Sequence, residues 1–240
     1  MMGGGYSVTA LSPIYNENAT LGPSLLQLQD FLSGTGLRYE VLLIESGSTD
    51  GTGELCDRFA AEMQNVRVIH EGARNGFGAA LQLGFREARG DLIWVIPIDM
   101  PYDLEILREG LKLIHNYDAV VSYRPHDNRI IFRRVQSIIY NFVCRHILGV
   151  RVRTVNSAFK LYRRRAVAAM PLVSRGWFVD AEVLKRLVAS GASIVEIPVE
   201  IVERSLGAST VRALDGLRTL GELIRFVVMF SKEAKKPRVD

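Results

Sequence analysis

The residues of this chain able to do chemistry are acids at the ends of apolar runs and polar loops rich in glycine. Leu92 to Ile98 is a short apolar run, the pattern of a fully buried strand, and it ends at Asp99. A carboxylate at such a strand end suits a divalent cation bridging to a diphosphate. Glu45 ends another apolar run and opens the loop Glu45-Ser46-Gly47-Ser48-Thr49-Asp50-Gly51-Thr52. There it could accept hydrogen bonds from a base or a ribose. Arg74-Asn75-Gly76-Phe77-Gly78 puts backbone N–H groups and an arginine at a helix start, a ready anion site. Gly176-Trp177-Phe178-Val179-Asp180-Ala181-Glu182 sets two carboxylates beside aromatics. Two residues apart on a helix they face different ways, so at most one points at a reaction, as a general base or sugar-hydroxyl acceptor. The loop from Arg204 to Thr210 carries an arginine that could close over a phosphate.

Each of these has a plain structural reading beside it. The 45–52 loop reads equally as a capped turn, with Asp50 or Thr49 at the helix start. Residues 74–78 fit a tight turn that is neither a Walker pattern nor a full dinucleotide fingerprint. Asp99 could cap the following helix, although Asp103 fits that role better. Asp180 and Glu182 are charges favoured by a helix dipole. Residues 204–210 read as a solvated connection with Ser209 or Thr210 as a cap.

The elements that must position these residues alternate. Ser7 to Ser12 reads as a strand stopped by Pro13, and Leu21 to Leu32 as a helix. A strand at Tyr39 to Ile44, a helix at Gly53 to Met63 and a strand at Val66 to His70 follow. A helix to about Ala88, the strand to Ile98, a helix near Leu104 to His115 and a strand near Ala119 to Ser122 complete the first half. This alternation predicts βαβ units and a mainly parallel sheet. Right-handed crossovers then bring the loops at 13–18, 45–52, 74–78 and 99–103 to one rim, where ligands of open α/β sheets bind.

The second half differs. Residues 130–148 form an amphipathic helix, with Ile131, Phe132, Val135, Ile138, Ile139, Phe142 and Val143 on one arc and Arg133, Arg134, Ser137, Asn141 and Arg145 on the other. Ser157 to Tyr162 is strand-like and Phe178 to Ala189 helical. Ile194 to Val202 contains Pro198 and reads as an edge or bulged strand. Arg212 to Phe230 is a helix with a wide apolar face, followed by a basic tail. Such helices are core packing in most proteins. Two in one half of a basic chain favour a membrane surface. The expected division is one domain over 1–210 and an extension over 211–240.

The 240 residues are 48% hydrophobic, enough for one large core, with a net charge of +4 and a pI near 9.2. A basic balance suits phosphorylated ligands or anionic membranes. The arginines are spread rather than clustered with stacking aromatics, which argues against nucleic acid. Two distant cysteines and four scattered histidines give no zinc spacing and fit a reducing compartment. No run reaches the roughly 18 apolar residues of a spanning helix, and the Met-Met-Gly-Gly-Gly start has no signal-peptide pattern. The chain therefore reads as soluble or peripheral, and cytoplasmic.

Taken together, these residues resemble the inverting glycosyltransferases of family 2, with the GT-A fold, and within them the dolichyl-phosphate mannose synthases and bacterial polyprenyl-phosphate glycosyltransferases. Pro13-Ile14-Tyr15-Asn16-Glu17 is similar to the family's opening motif, and residues 45–52 to its Asp-Asp-Gly-Ser-Thr-Asp-Gly-Thr segment. Asn75-Gly76-Phe77-Gly78-Ala79-Ala80 is similar to the next block. Arg133, Ser137 and Asn141, then Phe159-Lys160-Leu161-Tyr162-Arg163, then Arg204, Gly207 and Ser209 complete the likeness over about residues 7–210.

The resemblance implies an α/β GT-A domain with peripheral amphipathic helices. It implies transfer of a sugar from a UDP- or GDP-sugar to a polyprenyl phosphate at the cytoplasmic membrane face. Pro13, Tyr15, Glu17, Glu45, Gly47, Asn75 and Gly76 would bind the donor nucleotide. Arg133, Ser137, Lys160 and Ser209 would bind the acceptor or its phosphate. Asp99, Asp180 and Arg204 would be catalytic, and Asp99 would hold Mg²⁺ or Mn²⁺. A second copy of the chain is a further expected partner. The family's metal motif is Asp-x-Asp, often followed by x-Gln, and its positions here are Pro97, Asp99 and Pro101. One carboxylate is a poor site for a hard cation. Either the cation binds weakly, or Arg74, Arg129 or Arg204 replaces it, or the activity has changed. A soluble acceptor with little metal dependence, or donor binding without turnover, are the alternatives. The family's second nucleotide-loop acid is Ser46, and its usual Asp before the Asn-x-x-Phe-Lys block is Thr154.

Overall fold

The computed structural model describes residues 5–126, 131–201 and 214–233. Among these residues seven strands make one sheet: β1 (Ser7–Ile14), β2 (Arg38–Glu45), β3 (Val66–His70), β4 (Leu92–Val95), β5 (Ala119–Tyr123), β6 (Lys160–Arg163) and β7 (Ile194–Pro198). Their order is β3-β2-β1-β4-β6-β5-β7. Six strands run parallel, and β6 runs against its neighbours β4 and β5. The helices are α1 (Asn18–Gly34), α2 (Thr52–Glu62), α3 (Phe77–Glu87), α4 (Ile106–Leu113), α5 (Ile131–Leu148), the single turn α6 (Arg164–Val167), α7 (Val179–Ala189) and α8 (Leu214–Glu233).

Strand alternation feeds two cores, one on each face of the sheet. In β1, Val8 and Ala10 join Leu21, Leu25 and Leu28 of α1, Phe59 of α2 and Leu107 of α4. Leu11 faces the opposite way, toward Ala80, Leu81 and Phe85 of α3, Cys144 of α5 and Leu184 of α7. α8 joins this second core through Leu223 and Phe226, the latter 5.6 Å from the Phe178 ring.

Three boundaries differ from expectation. Pro13 does not stop β1, which pairs with β2 through Ile14. The Ile14 carbonyl accepts Ser46 N–H from the β2 side. Pro13, one residue earlier, therefore faces β4, where the ladder has already ended at Leu11 and Val95. A missing N–H costs nothing there. The 92–98 run, by contrast, is a strand only to Val95. Ile96 makes one more bond to Leu11, and Pro97 then turns the chain through a Met100 N–H to Pro97 carbonyl bond, with Met100 at φ 41°. Asp99 thus lies in a tight turn beyond the strand. Finally, the strand expected at 157–162 begins at Lys160. β7 is the edge strand foreseen from Pro198, which is its last residue.

Candidate active site

Because β1 to β4 are mutually parallel, their carboxyl ends share one rim. Three of the loops there touch. Asn16, at φ 53°, receives a bond from Thr49 N–H on its side chain and donates its own N–H to Ser48 Oγ. Glu17 N–H donates to Thr52 Oγ1, and Asn18 N–H to Asp50. Asp50 also accepts Thr52 N–H, so it braces the start of α2 although Gly51 holds the cap position. Gly47, at φ +68°, comes so near the next loop that a Cβ would lie 2.9 Å from the Ala73 Cα. Arg74 lies over the Tyr15 ring, 4.1 Å from its centroid, in cation–π geometry. Tyr15, Glu17, Glu45, Gly47 and the 71–76 turn are thereby brought together, with Pro13 beneath them at the end of β1.

Glu45 is buried. Its Oε1 accepts Ser48 N–H at 2.5 Å, and its Oε2 meets His70 Nδ1 at 3.0 Å. His70 Nε2 meets Asp57 at 2.8 Å, forming a carboxylate–imidazole–carboxylate chain. Burial pushes the Glu45 carboxyl up, but bonds from Ser48, His70 and Gly47 outweigh it and hold the pKa below the usual value. The Asp57 bond, then the Glu45 bond, raise His70 above its usual value against a smaller effect of burial. The sign follows from linkage. The His70 contribution is complete below the unfolded imidazole pKa and is lost as pH rises through the higher folded one. Thermal melts from about pH 6 to about pH 9 should show wild type losing more stability than His70→Gln. Parallel curves would mean the imidazolium does not hold the loop.

The turn at 74–78 is less open than its sequence suggests. Gly78 N–H donates to the Arg175 carbonyl, and Ala79 and Ala80 N–H donate to Gly76. Gly76, at φ +98°, lies against the same carbonyl. The start of α3 is therefore capped by the chain's own backbone rather than free for an anion. Asn75 remains exposed at the rim. Phe77, where the family has Lys, stacks on Trp177 with centroids 4.9 Å apart.

Asp180 and Lys160 are not surface groups. Asp180 is 4% exposed, and its Oδ2 accepts from Lys160 Nζ at 2.7 Å. The Lys160 ammonium lies over Phe77 at 5.6 Å. Burial raises the Asp180 pKa while Lys160 opposes it. Lys160 spends its charge on Asp180, and neither group faces solvent. The short strand β6 points Lys160 into the core beneath Phe77, and α7 supplies Asp180 from within the same layer. Glu182 is also internal. It accepts Val173 and Ser174 N–H and pairs with Arg186.

Ser137 lies on the half-buried side of α5 and accepts a long 3.4 Å contact from Asn141, whose carbonyl oxygen accepts Val155 N–H. Arg133 lies on the same helix. Arg129, Arg204 and Ser209 fall outside the described residues. Among the described residues, no three His, Cys, Asp or Glu side chains come together as a metal-ligand set. Asp99 is the only acid at the family's metal position, between two prolines that offer no side-chain donor. The donor set therefore does not fit a cation held by the protein alone.

Residues 9–170 match the family model described as glycosyl transferase family 2, and the chain belongs to that family. Glycosyltransferase AglD of Haloferax volcanii is 32% identical over 82% of the chain, and the match covers 33% of AglD. Undecaprenyl-phosphate mannosyltransferase of Micrococcus luteus is 29% identical, covering 84% of the chain and 86% of the relative. The chain thus corresponds to a third of the first and most of the second. Among solved structures, mannosyl-3-phosphoglycerate synthase from Rubrobacter xylanophilus superposes with a TM-score of 0.72 at 18% identity, over 98% of this chain and 77% of that one. The mannosyltransferase PcManGT from Pyrobaculum calidifontis, in complex with GDP-Man and Mn²⁺, gives 0.63 at 18% identity, over 98% and 66%. At such identities the structural likeness establishes the GT-A fold.

His70, Asp57 and Glu71 were not foreseen as site residues. The rim rule applied to β2 picks out Glu45, and the same rule applied to β3 picks out His70 and Glu71.

Proposed function

We propose that this protein transfers a sugar, with inversion, from a UDP- or GDP-sugar to a polyprenyl phosphate at a membrane surface. Family membership supports sugar transfer. The orientation of α5 carries the lipid acceptor. Most of its described apolar arc faces outward, with Ile131 76%, Ile138 65% and Phe142 60% exposed, while Val143 packs against the core and Ser137 and Asn141 are turned toward the domain. On α8, Ile224 and Val228 are exposed as well. A water-facing helix shows the reverse pattern. An apolar face at the acyl boundary with Arg145 and Arg225 at headgroup level fits an interfacial helix. No helix among the described residues is long and apolar enough to cross a membrane.

The acceptor sets the chemistry. A phosphate oxygen already carries negative charge and needs no base. It attacks the anomeric carbon as the bond to the diphosphate oxygen breaks, and the nucleoside diphosphate leaves with the electron pair. The configuration inverts. That step is compatible with an Asp180 locked in an internal pair. Tyr15, Glu45 and Gly47 hold the nucleoside, and Asp99 in its turn faces the diphosphate.

Calorimetry with UDP- and GDP-sugars, with and without Mn²⁺, tests the donor half. One class should bind, with little gain from Mn²⁺ because the site has a single carboxylate. Binding of neither class would end the reading. For the surface, Ile138→Glu with Phe142→Glu should lower partition onto anionic vesicles by about tenfold or more. The melting temperature should not change, since both side chains are exposed. Undiminished vesicle binding would remove α5 from the membrane contact.

A further inference from the structure

The nucleotide loop of this chain has Ser46 where the family has its second acid, and the fold puts another acid beside it. Ser46 is 6% exposed, and its hydroxyl donates to Glu71 Oε2 at 2.6 Å. Glu71 follows the last residue of β3, and its N–H donates to the Glu45 carbonyl, extending the β2–β3 ladder by one bond. Its carboxylate therefore stands between the 45–52 loop and the 71–76 turn, where Gly47 and Ala73 touch and Arg74 covers Tyr15. Among the described residues, the other oxygen, Oε1, has only a long 3.5 Å contact from Asn75. Ser46 fixes one oxygen, and the half-buried carboxylate keeps acceptor capacity on the second.

We propose that Glu71 is the specificity-determining acid of the nucleoside pocket, accepting the ring N–H that uracil and guanine present next to a carbonyl carbon. The proposal rests on the donor reading above. The chemistry it selects for is an imide- or lactam-type N–H, N3–H in uracil or N1–H in guanine. Cytosine presents a lone pair at the equivalent ring nitrogen, and a carboxylate repels it. A site built around such an acceptor rejects a ligand lacking the donor more strongly than shape alone can.

Glu71→Gln separates recognition from bracing. The amide oxygen can still accept from Ser46, so the strut survives, while one anionic acceptor becomes an NH₂ donor. Calorimetry is run with UDP, GDP and CDP on wild type and variant, with thermal melts as a folding control. Wild type should bind UDP or GDP well above CDP. The variant should lose about tenfold or more of that affinity, as for a charge-assisted bond, and should lose none for CDP. Adding Ser46→Asp to Glu71→Gln should restore discrimination by returning a carboxylate to the loop. If Glu71→Gln does not fold, Ser46→Ala, which frees the carboxylate to rotate, should narrow the gap between CDP and the favoured nucleotide. An equal change for all three nucleotides, or none, overturns the role of Glu71 and leaves the donor reading intact. Failure of wild type to bind any of them overturns both.

Discussion

Lys160→Met is expected to destabilise the protein by about 3–5 kcal/mol, the cost of leaving one member of a buried ion pair without its partner. Lys160 and Asp180 are both buried and 2.7 Å apart, and Asp180 Oδ1 has no hydrogen-bond partner among the described residues. Removal of the ammonium leaves Asp180 to be buried as an ion or to take up a proton. Its pKa, already raised by burial, then rises further once the opposing Lys160 charge is gone. A carboxyl with a raised folded pKa binds more protons folded than unfolded, so stability falls as pH rises toward that pKa. The deficit should therefore be smaller near about pH 5 than near about pH 8, both above the unfolded carboxylate pKa. Lys160→Met with Asp180→Leu should recover most of the loss, since an apolar pair of similar volume often replaces a buried ion pair without penalty. Denaturant unfolding of the three variants measures this. A single variant as stable as wild type would mean the pair is not buried as described. A double variant that folds well would argue for a structural pair, and one that also retains turnover would exclude Asp180 as a base.

Gly78→Ala should cost about 3 kcal/mol or more, at the upper end for overpacking, and should weaken donor binding with it. A Cβ there would lie 2.2 Å from the Ser174 carbonyl oxygen and 3.0 Å from the Ser174 and Arg175 carbonyl carbons. These are backbone atoms, and segment 172–177 has little freedom to retreat. Val173 and Ser174 are bonded to Glu182, Gly176 N–H donates to Glu222 on α8 at 2.8 Å, and Arg175 accepts Gly78 N–H. The segment ties the start of α3 to α7 and α8, so a displacement at Gly78 is felt at the 71–76 turn on the nucleotide rim. Melting temperature and donor affinity should fall together. An unchanged melting temperature would show that the segment is not seated on α3.

The parallel half of the fold was legible because its strands are continuous apolar runs separated by glycine-rich turns. The rim loops followed from that alone. What the pattern could not carry is direction in three dimensions. Lys160 sits in a motif associated with phosphate binding, yet the inward face of an antiparallel strand gives it to Asp180. Pro13 looked like a strand end, but its place on a side with no partner left the strand intact. The apolar arc of α5 was visible on the helical wheel, whereas its outward orientation depends on Cys144 and Leu148 packing inward instead. Glu71 lay one residue past a short strand, and its relation to Ser46 exists only after β2 and β3 pair.

The most direct test is transfer itself. Purified protein is incubated with labelled UDP- or GDP-sugars and a polyprenyl phosphate in anionic vesicles, and label in the lipid fraction is followed for wild type and Asp99→Asn. Wild type should form a glycosyl polyprenyl phosphate of inverted configuration. Asp99→Asn should change that rate by no more than about tenfold, because a carboxylate with no firmly held cation beside it repels the departing diphosphate instead of stabilising it. Donor binding by wild type with no labelled lipid, or label passing only to a soluble acceptor, would contradict the account.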